Sequence, residues 1–451
     1  MIQVQAPDSF VNTILGEQSV TRDEQYRLLS FCISTPVTEG ILLYNNLTKE
    51  LLFLSETEAG TASPVFDLLV KKWFYVPFSF NDRQFSDQLR LIAGLKMKSQ
   101  GQLFTILTTT SCNARCFYCF EKGIPSYDMS LQTAQDVIGY IKSVSRVGEK
   151  IHLHWFGGEP LCNADAIDVI CSGLRKLDIP FVSSMTTNGF LLNEERIPKA
   201  KELWNLKKVQ ITLDGTEEIY NKAKAYIYPG INAFQTVLNN LKALETAGIF
   251  ISIRLNAELY NIRDLMSLAG LLGNLFHDPS SVFIGISPLM SRAGAFPINH
   301  DKEMEQKLYD SLKDLLLLIE SLGFSVGRGL SNSIRLSCCE ADSPNAIVIM
   351  PDGSLRRCQH IKAGEPVGSI NDKQPSLRAG LWTSYREEKP ACSTCPFYPT
   401  CFRLTDCEES EICSDASRIW KKEQLFAKMR QKWKLFLKNR STSIEKGLTN
   451  P

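Results

Sequence analysis

A chain of 451 residues, 44% of them apolar, has length and composition for two or three domains with sizeable cores. Fifty Lys and Arg against 49 Asp and Glu leave a formal charge of +1, a balance that argues against a dedicated nucleic-acid binder. The opening MIQVQAPDSFVNT has no basic segment followed by an apolar one, and the richest apolar stretch, 311–324, carries Lys313, Asp314 and Glu320. Neither a signal peptide nor a membrane span is expected, and the expected setting is the cytoplasm.

Residues 1–100 read as a small α+β module. Strands are predicted over 42–44 and 51–54, with Asn45-Asn46-Leu47-Thr48 as the turn between them. Ser55 followed by Glu58 has the spacing of a capping box that opens a helix. A second helix is predicted over 82–98, with Phe85, Leu89, Leu91 and Ile92 mostly on one side. From residue 101 to 328 the pattern changes to alternating strand and helix. Strands are predicted over 103–109, 151–156, 181–186, 208–213, 250–256 and 282–287, with helices over 131–144, 164–177 and 233–247 among the connections. Six such repeats imply an α/β fold, with parallel pairing and helices outside, as an open sheet or a partial barrel. Active residues then belong on loops leaving the C-terminal strand ends. Residues 329–415 are cysteine-rich and short of periodic runs, so metal is the expected staple. The tail, 416–451, contains a basic helix candidate over 418–440, read as a closing helix with a solvated basic face.

Fourteen cysteines in a chain without an export signal point to metal rather than to disulfides. Cys32, Cys162 and Cys171 are scattered and read as small buried hydrophobes. Cys112, Cys116 and Cys119 form C-x-x-x-C-x-x-C just after the first strand of the repeat series. Three thiolates on one short loop can hold three irons of a cubane [4Fe–4S] cluster and leave the fourth open. A structural zinc site needs four ligands, and this loop offers no fourth Cys or His.

This loop resembles the cluster-binding loop of the radical S-adenosylmethionine (SAM) superfamily. The next strands end in motifs that resemble that superfamily in order: Gly157-Gly158-Glu159-Pro160, Thr187-Asn188-Gly189, Thr212-Leu213-Asp214-Gly215 and Ile253-Arg254-Leu255-Asn256. The resemblance implies a partial (β/α)6 TIM-like barrel, a catalytic [4Fe–4S] cluster and S-adenosyl-L-methionine. It also implies an electron donor such as flavodoxin or ferredoxin. Reduction of the cluster would cleave the sulfonium to a 5′-deoxyadenosyl radical, which takes a hydrogen atom from substrate. By the same resemblance Gly157, Gly158, Glu159 and Pro160 meet the methionine ammonium. Arg254 and Asn256 meet the carboxylate and ribose, with Asn188, Thr212 and Asp214 on neighbouring strand ends, and Tyr118 packs near the adenine. No catalytic base is nominated; Asp278 and Glu340, near plausible strand or cluster edges, read as solvated acidic residues.

A second group comprises Cys338, Cys339, Cys358, Cys392, Cys395, Cys401, Cys407 and Cys413. It resembles the SPASM extension, which holds two auxiliary clusters in radical enzymes that modify peptides and proteins. The resemblance implies one cluster on Cys392, Cys395, Cys401 and Cys413. It implies another on Cys358, Cys407 and one or both of Cys338 and Cys339. Thr405 stands where that family has a cysteine, so Cys407 must serve, and the adjacency of Cys338 and Cys339 leaves one cluster three-coordinate or with another ligand. Zinc ribbons are the alternative for the C-x-x-C pair, and His360 reads as a packing residue. The implied partner is a precursor peptide or protein substrate, with no nucleic acid and no membrane. One reading is crosslinking of a ribosomally made precursor, its leader held as an added strand by the N-terminal module, which is similar to small winged-helix recognition domains. The others are formylglycine formation in a sulfatase and a non-catalytic iron–sulfur protein.

Overall fold

The computed structural model describes residues 1–21, 23–58, 64–97, 101–289, 301–326, 330–331, 340–360, 365–372, 392, 395–398 and 414–447 (backbone only for 90–97, 342 and 442–447). The N-terminal strands are β1 (Ile2–Gln5), β2 (Tyr26–Leu28), β3 (Cys32–Val37), β4 (Gly40–Asn45), β5 (Leu51–Ser55) and β6 (Tyr75–Pro77). Four form an antiparallel sheet in the order β1-β5-β4-β3, and β2 and β6 pair separately. The predicted turn is real: the Asn45 side-chain oxygen accepts from the amides of Leu47 and Thr48, as an Asx turn does. Ser55 donates to the Glu58 carboxylate through both its amide and its hydroxyl. The segment that follows is a single 3₁₀ turn, Glu56–Glu58, and residues 59–63 lie outside the described ones. The helix Asp82–Met97 matches its expected span.

Side chains alternate across a strand, so this sheet buries both faces. Leu43, Leu52 and Leu54 join a core with Val11, Phe31, Leu69 and Phe74. Leu42, Tyr44 and Leu51 face the other way and are covered by the helix Asp415–Gly447 through Met429, Leu425, Phe426 and Trp433. Phe53 and Trp433 stack with centroids 4.7 Å apart. The basic tail helix thus packs directly on the N-terminal sheet.

The six predicted repeat strands are all present: β7 (Leu103–Thr109), β8 (Ile151–Gly157), β9 (Phe181–Thr187), β10 (Leu206–Leu213), β11 (Phe250–Ala257) and β12 (Phe283–Pro288). They are followed by β13 (Ser325–Val326), β14 (Ala346–Ile349), β15 (Ser354–Arg356) and β16 (Gly368–Ser369). All ten lie in one sheet, β13-β12-β11-β10-β9-β8-β7-β14-β15-β16, parallel from β13 through β14. This is the parallel, partial TIM-like arrangement. Alternate strand residues such as Ile106, Leu153, Trp155, Met185, Ile211 and Ile253 pack under the helices in one large core.

Among the elements unread in the sequence are one helix and one strand of the barrel region. The helix Lys302–Ser321 buries Leu308, Leu312, Leu315, Leu316 and Ile319. Strand β14 extends the parallel sheet beyond β7, with Ala346 opposite Leu103 and Ile349 opposite Ile106. No helix among the described residues is long and apolar enough to cross a membrane.

Candidate active site

The first cysteine group leaves the C-terminal end of β7. Thr109 starts the loop: its hydroxyl bonds the Asp128 carboxylate and accepts from the Ser111 amide at 2.8 Å. The Ala114 amide then points at the Cys112 sulfur at 3.4 Å, the Arg115 amide donates to the Lys224 carbonyl, and the Cys119 amide donates to the Cys116 carbonyl. Burial pushes the Cys112 thiol up to about 12 and raises Cys119 as well, with Cys116 adding its charge to both. Cys112 and Cys119, so raised, ionise only against a strong local cation, and iron would supply one. Among the described residues no three His, Cys, Asp or Glu side chains gather as a single metal ion requires. The donor set suits a cluster, in which each thiolate takes a different iron.

Gly157 and Gly158 have a steric reason to be glycine. A β-carbon on Gly157, at φ +129°, would lie 2.2 Å from the Thr109 carbonyl oxygen, and one on Gly158 would lie 2.3 Å from that of Ser111. Both residues dock on the cysteine loop, and the amides of Gly158 and Glu159 donate to those same two carbonyls. Pro160 is buried and opens the following 3₁₀ turn, Pro160–Asn163. Glu159 is fully buried: one oxygen accepts from Thr187 Oγ1 (2.8 Å) and the Leu161 amide (3.2 Å), the other from the Asn188 amide (2.8 Å). Burial raises its pKa, and these hydrogen bonds oppose the rise. The Asn188 side chain donates to Asn113 Oδ1, tying the third strand end to the cysteine loop. Asn113 Nδ2 is buried with no hydrogen-bond partner, a donor within the loop left for something not of the protein.

Asp214 anchors the opposite side. It accepts from the Tyr118 hydroxyl at 2.7 Å and from Asn256 Nδ2 at 3.0 Å, and its backbone carbonyl accepts from Asn261. The Lys224 ammonium lies 3.1 Å from the same carboxylate and donates to the Tyr118 hydroxyl. Burial works against this ammonium, but Asp214 together with Tyr118, Cys116 and Tyr220 outweighs it and holds the Lys224 pKa well above its ordinary value. Arg254 pairs in register with Thr212 and donates to Asn256 Oδ1 and Ser287 Oγ. The expected residues therefore converge on one end of the sheet. Lys224, Asn113, Thr187, Asn261 and Ser287 were not nominated and belong to the same network.

Of the second cysteine group, Cys358, Cys392 and Cys395 are described; Cys338, Cys339, Cys401, Cys407 and Cys413 lie outside the described residues. Cys358 follows β15, and its sulfur accepts from the His360 amide. The His360 ring sits 4.5 Å from that of Phe120, next to Cys119, so this segment reaches the first cysteine loop. Cys392 and Cys395 pack on the N-terminal core instead. There Asn46 donates to the Pro396 carbonyl and the Tyr398 hydroxyl to Asp87. Cys32 and Cys171 are buried, as their spacing implied, but Cys162 is exposed. It stands on the 3₁₀ turn after Glu159, which turns Pro160 and Leu161 inward and leaves Cys162 facing out.

Residues 106–266 match the model of the Radical SAM superfamily. The GTP 3′,8-cyclase of Clostridium perfringens (strain SM101 / Type A) is 26% identical over 276 residues, 57% of this chain and 80% of that protein. The radical SAM cyclopropyl synthase TigE of Paramaledivibacter caminithermalis is 24% identical over 179 residues, 36% of this chain and 37% of that protein. Among solved structures, native anSMEcpe with bound AdoMet and Kp18Cys peptide superposes with a TM-score of 0.57. The match covers 74% of this chain and 99% of that one at 16% identity, a likeness of fold.

Proposed function

We propose, from the Radical SAM match over residues 106–266, that this chain is a radical SAM enzyme that matures a ribosomally made peptide, removing hydrogen from a precursor residue to install a thioether or carbon–carbon crosslink. The family's [4Fe–4S] cluster, on Cys112, Cys116 and Cys119, supplies reductive cleavage of S-adenosyl-L-methionine. Glu159 offers a buried carboxylate for the methionine ammonium, a charge-assisted contact. Arg254 offers a planar fork to the carboxylate, and Asn256 offers an amide to the ribose. Asp214, held by Lys224 and Tyr118, fixes Asn256 in place. Gly157 and Gly158 let the two loops approach closely. Cys358, Cys392, Cys395, Cys401, Cys407, Cys413 and one or both of Cys338 and Cys339 would hold two auxiliary clusters.

One observation carries the peptide reading. The N-terminal antiparallel sheet ends at β3, whose outer edge pairs with no other strand among the described residues. Ser34 and Pro36 are exposed on that strand. An edge of this kind can take a peptide as an additional strand. The turn after β4 touches the Cys392–Pro396 segment through Asn46, so a bound leader would lie on a module joined to the proposed auxiliary site. A second reading, a nucleotide substrate, is favoured by the likeness to GTP 3′,8-cyclase. A third, formylglycine formation on a Cys or Ser, is compatible with the same barrel.

The test is turnover by the full chain, reconstituted and reduced anaerobically, with SAM and each substrate in turn: a precursor peptide with its leader, the same core without it, a sulfatase-derived Cys peptide, and GTP. The expected result is loss of two hydrogen atoms from the leader-bearing precursor, in step with 5′-deoxyadenosine. An aldehyde on the sulfatase peptide, or conversion of GTP alone, would replace this proposal with the corresponding reading. Absence of 5′-deoxyadenosine from fully loaded protein would favour an iron–sulfur binding protein.

A further inference from the structure

Strands β8 and β9 carry a polar row on the face turned away from the helices. Along β8, His152 and His154 alternate with Leu153 and Trp155, which are buried under the helices; along β9, Ser184 and Thr186 flank Met185, which is buried there too. Ser184 Oγ lies 2.8 Å from His152 Nε2 and 2.8 Å from His154 Nδ1. The other nitrogen of His154 lies 3.2 Å from Thr186 Oγ1. The four side chains form one unbroken row. It begins at His152, exposed at the N-terminal rim of the barrel. It ends at Thr186, beside Thr187, whose hydroxyl holds Glu159.

Packing alone does not call for such a row, because the interior of a (β/α) barrel is filled best by branched apolar side chains. Two imidazoles bridged by a hydroxyl have a different property. A hydroxyl holds one proton and two lone pairs, so it can accept from one ring while donating to the other. Histidine exchanges protons near neutral pH.

We infer that Thr186, His154, Ser184 and His152 form a proton relay from the mouth of the barrel to solvent at its opposite rim. The inference rests on the oxidative crosslinking proposed above. Joining R–H to X–H as R–X removes two hydrogens. One leaves as an atom to 5′-deoxyadenosine. The other leaves as an electron, taken by an oxidised auxiliary iron–sulfur cluster, and a proton, which needs an acceptor. Thr186 takes that proton and passes its own to His154 Nε2. The Nδ1 proton of His154 moves to Ser184, the Ser184 proton moves to His152 Nε2, and His152 releases its Nδ1 proton to water. Reorientation of the hydroxyls and exchange of ring tautomers restore the row.

The groups around the row fit this use. Lys208 on β10 stands in register with Ser184; desolvation of the inner side of the His152 ring, whose outer side meets solvent, together with this ammonium holds the His152 pKa below its ordinary value, favouring the neutral ring. Gln210 is in register with Thr186. On the other side Thr105 of β7 pairs with His154 and donates to the Glu340 carboxylate at 3.0 Å, so Glu340 also faces the row. The Phe156 ring lies 6.0 Å from that of His154, between the row and the cysteine loop.

The experiment has two arms on the full chain. With only five histidines, selective isotope labelling resolves His152 and His154 by NMR. In Ser184→Ala both titration midpoints are expected to move, and Ser184→Thr, which keeps the hydroxyl, is expected to restore them. In turnover with a precursor that the wild type modifies, His154→Asn and Ser184→Ala are expected to lower peptide product about tenfold to a hundredfold. 5′-Deoxyadenosine should continue to form, and the solvent deuterium effect on product should change. Product formation within about twofold of wild type in both variants would overturn the relay. Should the wild type modify no peptide, the maturase reading fails by itself and the NMR arm speaks to the row alone. Midpoints unmoved by Ser184→Ala would then reject the coupled row, and moved midpoints would uphold the coupling while the relay loses the reaction it serves.

Discussion

Lys224 places an ammonium group, 3% exposed, against Asp214, 1% exposed, and bonds Tyr118 at the same time. Removing one partner of a buried pair leaves the other charge stranded and costs about 3–5 kcal/mol. Lys224→Met is therefore expected to lower unfolding stability by about that amount in denaturant titrations. It should also weaken SAM binding, because Asn256 hangs from the same carboxylate. Wild-type stability and affinity in the variant would show that the pair is ornamental. The cysteine triad, Gly157, Gly158, Glu159, Asp214 and Arg254 could all be read from the sequence, because each sits in a short motif at a strand end. Lys224 could not. It closes the helix Glu217–Lys224, whose composition reads as a solvated surface, and its partner Tyr118 is 106 positions away. Only the fold brings them together.

Among the elements, the six repeat strands announced themselves by short apolar runs separated by amphipathic helices. Strand β14 did not, because Ala346–Ile349 is brief and stands among cysteines and charged residues that dominate the reading. Its place is fixed from outside, by β7 on one side and by Arg357 at its start. The buried Arg357 guanidinium donates to the carbonyls of Ala341, Ser343 and Ala346. Arg357→Leu orphans these acceptors at a cost of about 1–3 kcal/mol for each one left buried. The expected outcome is a lower melting temperature together with faster hydrogen exchange in β14 and β15. An unchanged exchange pattern would mean that its neighbours β7 and β15 anchor the strand without Arg357.

At the scale of the molecule, the N-terminal sheet is held between its own helices and the tail helix Asp415–Gly447. The sequence showed both parts, a small α+β module and a basic helix, but not that they pack together. Their contact joins the first and last portions of the chain, and the charges of the helix hid its apolar side. Stacked aromatic pairs contribute about 0.5–1.5 kcal/mol beyond burial. Trp433→Ala, which removes the Phe53 stack, is expected to raise hydrogen exchange in β3, β4 and β5 while leaving β8 to β11 unchanged. Equal loosening of the barrel strands would show that module and barrel unfold as one unit.

Radical chemistry in this protein depends on what the loop after β7 holds. The direct measurement is iron content and 5′-deoxyadenosine formation by the anaerobically reconstituted full chain beside its Cys112→Ala, Cys116→Ala, Cys119→Ala triple variant. The wild type is expected to cleave SAM. The variant should lose one cluster's worth of iron, keep the remainder, and form no 5′-deoxyadenosine. A triple variant that retains the wild-type iron content, or that still cleaves SAM at the wild-type rate, would place the chemistry elsewhere and contradict the assignment.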